Sequence, residues 1–223
     1  MITLSKRLSR VASYMEEGGI LADIGSDHAY IPVLALLEKK VPKAYACEVV
    51  EGPLQSSIKT IKEHGLEGKV IPVLSDGLTN VPEDITEFII AGMGAYTILD
   101  ILKEGREKVL KCRRGILQTN SHAELIREYL SEMHYHIFEE EVVEEDGKYY
   151  EIIVFEPANG MKLSAEEIFF GPVNLRRRTD TFIQYYEKVL KTKKGILSGL
   201  DTQNPRYDVL LQECRMISAM LLK

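Results

Sequence analysis

The stretch HIFEEEVVEEDGKYYEIIVFEP, residues 136–157, decides the fold. Two strand-like runs, His136–Glu145 and Lys148–Pro157, flank Asp146-Gly147, a dipeptide that tolerates the positive φ angles of a tight hairpin turn. The pattern predicts two antiparallel strands. Everything upstream reads differently. Short apolar runs at Ile20–Ile24, Ala44–Val49, Val70–Leu74, Phe88–Ala91 and Gly115–Gln118 alternate with helical patterns. Those helices are expected from Ile31 to Leu37, around Pro53–His64, from Tyr96 to Leu110 and over Ala123–Glu132. Such alternation predicts βαβ units, a mainly parallel sheet and right-handed crossovers. An opening helix is expected from about Ser5, with Leu4, Leu8, Val11 and Met15 on one face and Lys6, Arg7 and Arg10 on the other. Gly18-Gly19 is expected to end it.

A parallel sheet ending in a reversed hairpin separates this chain from dehydrogenase-type Rossmann folds, which lack the reversed strand. The expected α/β architecture resembles the Rossmann-like sheet of class I methyltransferases, which bind S-adenosyl-L-methionine (AdoMet). After Pro157-Ala-Asn-Gly160 the strand signals stop. Ser164 and Glu167 have capping-box spacing. Leu175, Phe182, Tyr185, Tyr186, Val189 and Leu190 mark one amphipathic helix; Leu210, Cys214, Ile217 and Leu221 mark a second beyond Asn204-Pro205. Two domains follow: residues 1–159 with the sheet, and residues 160–223 as a C-terminal helical hairpin.

Composition sets the limits. Of 223 residues, 45% are hydrophobic and 28% charged, a profile that excludes disordered and low-complexity chains. No apolar run approaches the ~20 residues that cross a bilayer, and the basic N-terminus has no apolar core of a secretion signal. Cys47, Cys112 and Cys214 are far apart without a CxxC pair, and no His pair has metal-ligand spacing. A soluble cytoplasmic protein without metal is expected. The net charge of −6 reads against a polyanion partner until it is divided. Residues 1–159 carry 17 Lys and Arg against 27 Asp and Glu, a balance of −10; residues 160–223 carry 11 against 7, a balance of +4. An acidic body with a basic appendage suits a polyanion at the appendage, although a solvated helix face reads equally well. Arg176-Arg177-Arg178, Lys188, Lys191, Lys193 and Lys194, interleaved with Tyr185 and Tyr186, have the residue types that meet an RNA backbone.

The chemistry-bearing residues fall at strand ends, where open α/β sheets bind ligands. The first strand closes with Asp23-Ile24-Gly25-Ser26-Asp27-His28-Ala29-Tyr30. Gly25 admits a ligand close to the backbone, but Asp27 and Tyr30 break any GxGxxG pattern. Two carboxylates would repel a pyrophosphate and suit a ligand with a cationic end. AdoMet, with an ammonium and a sulfonium, is such a ligand. Glu48, ending the second strand, can accept two hydrogen bonds from a ribose diol. Asp76-Gly77 fits either an adenine-edge contact or a plain turn. In Ala91-Gly92-Met93-Gly94 the glycines suit a flat substrate passing close to the backbone, and Met93 either lines the pocket or anchors the loop. His28 is either a structural residue or, beside Asp27, a functional one. Asn120 can hydrogen-bond a base edge or cap a helix.

Taken together, several segments resemble one family, the bacterial tRNA (adenine-22-N1)-methyltransferases. They are Leu4-Ser5-Lys6-Arg7-Leu8, the run from Asp23 to Pro32, Glu48-Val49-Val50-Glu51-Gly52-Pro53-Leu54, Ser75-Asp76-Gly77-Leu78, Ala91-Gly92-Met93-Gly94, Gln118-Thr119-Asn120 and the Glu141–Glu151 hairpin. Ala95 stands where the family pattern has a second glycine, and Thr119 where it has a proline. The resemblance implies AdoMet as methyl donor, tRNA as acceptor and a helical extension that helps grip the tRNA. The expected cofactor site is Asp23, Gly25, Asp27, Glu48, Asp76, Gly77, Gly92 and Met93, with Asp27, His28 and Asn120 serving catalysis. The rivals are a small-molecule methyltransferase and a non-catalytic AdoMet- or RNA-binding module.

Overall fold

A computed structural model describes residues 2–223. Seven strands form one sheet: β1 (Ile20–Ile24), β2 (Lys43–Glu48), β3 (Val70–Leu74), β4 (Glu87–Met93), β5 (Arg114–Thr119), β6 (Tyr135–Glu145) and β7 (Lys148–Asn159). Their order is β3-β2-β1-β4-β5-β7-β6, and β7 alone runs against the others. Side chains alternate between two apolar layers, as the two-residue period of a strand requires. Leu21, Ala44, Ile89, Ile116, Ile152 and Val154 belong to one layer. Ala22, Tyr45, Phe88, Leu117, Ile153 and Phe155 belong to the other. Burial on both faces explains why the parallel strands are apolar throughout.

Helices α1 (Lys6–Ser13), α2 (Tyr30–Leu37), α3 (Glu51–Glu63), α4 (Ala95–Glu104), α5 (Arg106–Lys111) and α6 (Ala123–Glu132) link or flank the strands. Three expectations are corrected. The opening helix ends at Ser13, well before Gly18, and the Glu16 N–H turns to the buried Glu87 carboxylate at 3.0 Å. The helix expected over Tyr96 to Leu110 is two, broken at Gly105. A Cβ there would lie 2.7 Å from Leu78, so the backbone packs where a side chain would otherwise stand. The first C-terminal helix is interrupted as well: after α7 (Ala165–Phe170), α8 (Pro172–Arg177) and α9 (Asp180–Ser198) are separated by Arg178 at φ +47° and by Thr179, whose hydroxyl caps the Phe182 N–H. The capping box of Ser164 and Glu167 is present at the start of α7.

A buried ion-pair cluster fastens the hairpin to α6. Arg127 on α6, with no exposed surface, bonds Glu140 of β6 at 2.6 Å and Glu151 of β7 at 2.5 Å. Its Nη1 also faces the Ile168 and Phe169 carbonyls, at 3.5 and 3.4 Å. The other Glu140 oxygen accepts the Val173 N–H at 2.9 Å.

The chain divides into two compact units, one ending at Val173 and the other spanning Asn174–Lys223. Strand β7 ends at Asn159, and α7 stays with the sheet unit. In the second unit α9 packs on α10 (Tyr207–Leu222) through buried Phe182, Tyr186, Leu210, Cys214, Ile217 and Met220. Lys193 pairs with Glu213 at 2.7 Å, and Arg178 donates to the Met220 carbonyl at 2.9 Å.

Candidate active site

The order of strands fixes where a ligand can lie. Crossovers leave β1 toward β2 on one side and β4 on the other, opening a crevice at the carboxyl ends of β1 and β4. The loop after β1 is rich in positive φ angles: Gly25 (+70°), then Asp27 (+36°), His28 (+71°) and Ala29 (+57°). Three adjacent non-glycine residues in the left-handed region are costly and persist where the surroundings hold them. The holding contacts are visible. Gly25 and Ser26 donate their N–H groups to the Cys47 carbonyl at 2.9 and 3.2 Å, and the Asp27 N–H donates to Glu48 Oε1 at 2.5 Å.

Two adjoining cavities meet at Gly25 and Met93. One, of about 330 Å³, is lined by Ile24, Gly25, Val49, Asp76, Gly77, Met93 and further residues of α4. The other, of about 430 Å³, is lined by Arg7, Asp23, Gly25, Asp27, Tyr30, Gly92 and Met93 among others. Every expected cofactor residue except Glu48 thus lines this crevice, and Glu48 joins it through its bond to Asp27. Glu48 Oε1 is occupied by that N–H while its second oxygen remains for another donor. Burial raises the Glu48 carboxyl above its ordinary range, partly countered by the Asp27 N–H.

Asp23 is the most perturbed acid of the cleft. It is 3% exposed, its one side-chain partner is Ser26 Oγ at 2.6 Å, and burial pushes its carboxyl up to about 7, with a further push from the charge of Glu48. The Ser26 hydroxyl acts the other way. A carboxyl of this kind is poised to ionise when a cation arrives.

The three residues expected to serve catalysis are placed differently. Asp27 lines the larger cavity with an open side chain. His28 is not among the residues lining either cavity; it lies 3.6 Å from Asp27 and stacks on Tyr30 at 5.3 Å between ring centroids. Asn120 does not cap α6, whose N-cap is His122. Its Nδ2 donates to the Gly92 carbonyl at 2.7 Å, and its Oδ1 accepts from Gln118 Nε2 at 3.1 Å. Gln118, fully buried, accepts the Gly92 N–H at 2.9 Å through an oxygen it shares with Arg7 Nη1. Gln118 and Asn120 therefore hold both polar groups of Gly92 and fix the β4 loop.

Sequence reasoning missed Arg7, Gln118 and Tyr30 as residues of the site. Helical periodicity assigns Arg7 to the outer face of α1. Its guanidinium instead lies over the Tyr150 ring at 5.0 Å, beside Glu145 at 3.7 Å, at the wall of the larger cavity. Among the described residues no cluster of three or more His, Cys, Asp or Glu could hold a metal, and no helix is long and apolar enough to cross a membrane.

A sheet with one reversed strand beside its edge, opened at β1 by a glycine and floored by carboxylates, defines a Rossmann-like methyltransferase of class I. Residues 21–217 match the family model of TrmK, tRNA (adenine(22)-N(1))-methyltransferase, and the chain belongs to that family. The tRNA (adenine(22)-N(1))-methyltransferase of Bacillus subtilis is 37% identical over 202 residues, covering 87% of this chain and 84% of that protein. A Streptococcus pneumoniae protein solved in complex with AdoMet is 38% identical, with a TM-score of 0.91 over 98% of this chain and 100% of that one. M. capricolum TrmK, solved with S-adenosyl-homocysteine, is 29% identical, with a TM-score of 0.91 over 99% of this chain and 98% of that one.

Proposed function

We propose that this chain transfers a methyl group from AdoMet to N1 of adenine 22 in tRNA. The observation that carries the reading is the convergence of Asp23, Asp27 and Glu48 on the opening beside Gly25, within a family of that activity. The residues fit the donor: carboxylates complement its ammonium and sulfonium, the free Glu48 oxygen suits a ribose diol, and Asp76 with Gly77 borders the cavity left for adenine. Gly25 has no side chain to occupy the space that a ligand needs there. Bound in this cleft, AdoMet supplies an electrophilic methyl group whose departure leaves the S–C electron pair on sulfur.

The chain's own work is alignment. Adenine N1 has an available lone pair at neutral pH, so its bond to the methyl carbon forms without removal of a proton. The ring becomes cationic as it forms. Asp27, open to the cavity, offers a negative charge to that ring, and the Gln118–Asn120 pair fixes Gly92 at the cavity wall. In this reading His28 and Asn120 orient the base, His28 from beside Asp27 and Asn120 through its bond to the Gly92 loop. To present N1, adenosine must leave its stack in the tRNA fold.

The second unit grips the tRNA in this reading. Residues 174–223 carry 10 Lys and Arg against 5 Asp and Glu, a balance of +5, while residues 1–173 carry 18 against 29. The enzyme works in the cytoplasm, where that acceptor is found. The test is methylation of two tRNA transcripts differing only at position 22: the adenosine form accepts the label, and the guanosine form does not. Equal labelling of both would refute the position.

A further inference from the structure

Of 6 phenylalanines and 11 tyrosines, only Tyr30 and Tyr96 are exposed. Both follow the strands that flank the crevice, Tyr30 after β1 and Tyr96 after β4. Tyr30 lines the larger cavity, so the site already accounts for it. Tyr96 lines neither of the two cavities and is the barer residue, 68% exposed against 39%. Packing does not explain its ring: Ala95, Ile98, Leu99 and Leu102 carry the buried face of α4, and Tyr96 stands off that face.

The ring is nonetheless held in place. Its neighbour is His122, with 6.2 Å between ring centroids and 55° between planes, within the range of attractive aromatic pairs. His122 Nδ1 lies 2.9 Å from Glu124 Oε1, which fixes the imidazole. The two loops that carry the pair are fastened to each other. The Asn120 N–H donates to the Met93 carbonyl at 2.9 Å, and Asn120 Nδ2 donates to the Gly92 carbonyl. The Tyr96–His122 pair is therefore fixed relative to Gly92 while standing outside the space for donor and target ring.

Extruding adenosine 22 strips its two neighbours of a stacking partner, a loss that a protein ring can offset. We propose that Tyr96, backed by His122, stacks on a nucleotide flanking the methylated adenosine and so steadies the opened tRNA. The inference rests on the reading of this chain as a tRNA adenine-N1 methyltransferase. Stacking of one base on an aromatic ring changes affinity by about five- to a hundredfold.

The test is steady-state methylation by the full chain of an intact transcript and of transcripts made abasic at position 21 or 23. Tyr96→Ala should lower kcat/KM for intact tRNA about tenfold, chiefly through KM, and leave AdoMet affinity within about twofold of wild type. Tyr96→Phe, which keeps the ring, should stay within about twofold of wild type. One of the two abasic transcripts should show the same tenfold loss with the wild type, and Tyr96→Ala should add nothing to it. Kinetics of Tyr96→Ala on intact tRNA within about twofold of wild type would overturn the proposal. So would a further tenfold loss on both abasic transcripts, since the ring would then touch something other than a flanking base. A loss in Tyr96→Phe equal to that in Tyr96→Ala would overturn it too, because the hydroxyl and not the ring would be responsible. Failure of the wild type to label the intact transcript would refute the activity reading itself, a separate result. A melting curve of each variant confirms that it is folded.

Discussion

Gly25 and Met93 are packed so closely that a Cβ on residue 25 would run into Met93 Cε. That approach joins the loops after β1 and β4 at the point where the two cavities meet. Two costs attend Gly25→Ala. The Met93 methyl is the flexible end of a side chain and can move aside, but φ of +70° remains, at about 1–2 kcal/mol for an L residue. Gly25→Ala should therefore lower folding stability by about 1–2 kcal/mol, and Met93→Ala added to it should not recover that loss, because the strained φ remains. Denaturant unfolding of the single and double variants measures both.

Asp27 should matter to turnover more than to structure. Its φ of +36° is better tolerated by Asn than by Ala, so Asp27→Asn removes the charge with little strain. Initial rates of methyl transfer should fall about a hundredfold or more. A rate within about twofold of wild type would remove Asp27 from the mechanism.

Asp23 gives the site a pH dependence whose sign is fixed. Its carboxyl, pushed up to about 7, favours the protonated form in the folded protein. Its contribution to stability is full below the unfolded value near pH 4 and is lost as pH rises through about 7, an upper bound of about 4 kcal/mol. A cationic ligand prefers the ionised form, so AdoMet should bind more tightly as pH rises from about 6 to 8. Asp23→Asn should flatten both profiles, read by titration and by chemical denaturation of the ligand-free protein.

The buried cluster around Arg127 predicts a large drop in stability. Arg127→Ala strands Glu140 and Glu151 in the core, where burial already raises the Glu140 carboxyl. Removing one partner of such a pair costs about 3–5 kcal/mol. Denaturant unfolding should show a midpoint lowered accordingly.

The basic unit should act through phosphates. Arg176, Lys191 and Lys194 are exposed, whereas Lys193 is paired with Glu213. Replacing those three by Gln should weaken tRNA binding and reduce the slope of log K against log salt by about 0.7 for each phosphate no longer neutralised, with AdoMet binding unchanged. Filter binding across a salt series reads the slope.

Much of this was legible in sequence because short-range rules governed it. Asp146-Gly147 announces the hairpin by turn chemistry alone, and the apolar runs of β1 to β5 follow from burial on both faces. Gly25 and Gly92 could be expected beside a crevice because strand ends are where such a sheet binds ligands, and both border the cavity there. Arg7 could not. Helical periodicity sets it beside Lys6 and Arg10 on a polar face, and only the docking of α1 on the hairpin shows that this face meets Glu141 and Glu145. Gln118 and Arg127 were hidden for the same reason: polar residues satisfied by long-range partners leave no local pattern. Gly105 and Arg178 broke helices whose periodicity continued across them, since tertiary packing rather than propensity set the breaks.

Methyl transfer to adenine N1 in tRNA is the centre of the proposed mechanism, and one measurement reaches it directly. Purified protein is incubated with methyl-labelled AdoMet and unmodified bulk tRNA, and the nucleosides are resolved by mass spectrometry. Label in 1-methyladenosine is the expected result. Label in another nucleoside, or none in tRNA while AdoMet still binds, would contradict it.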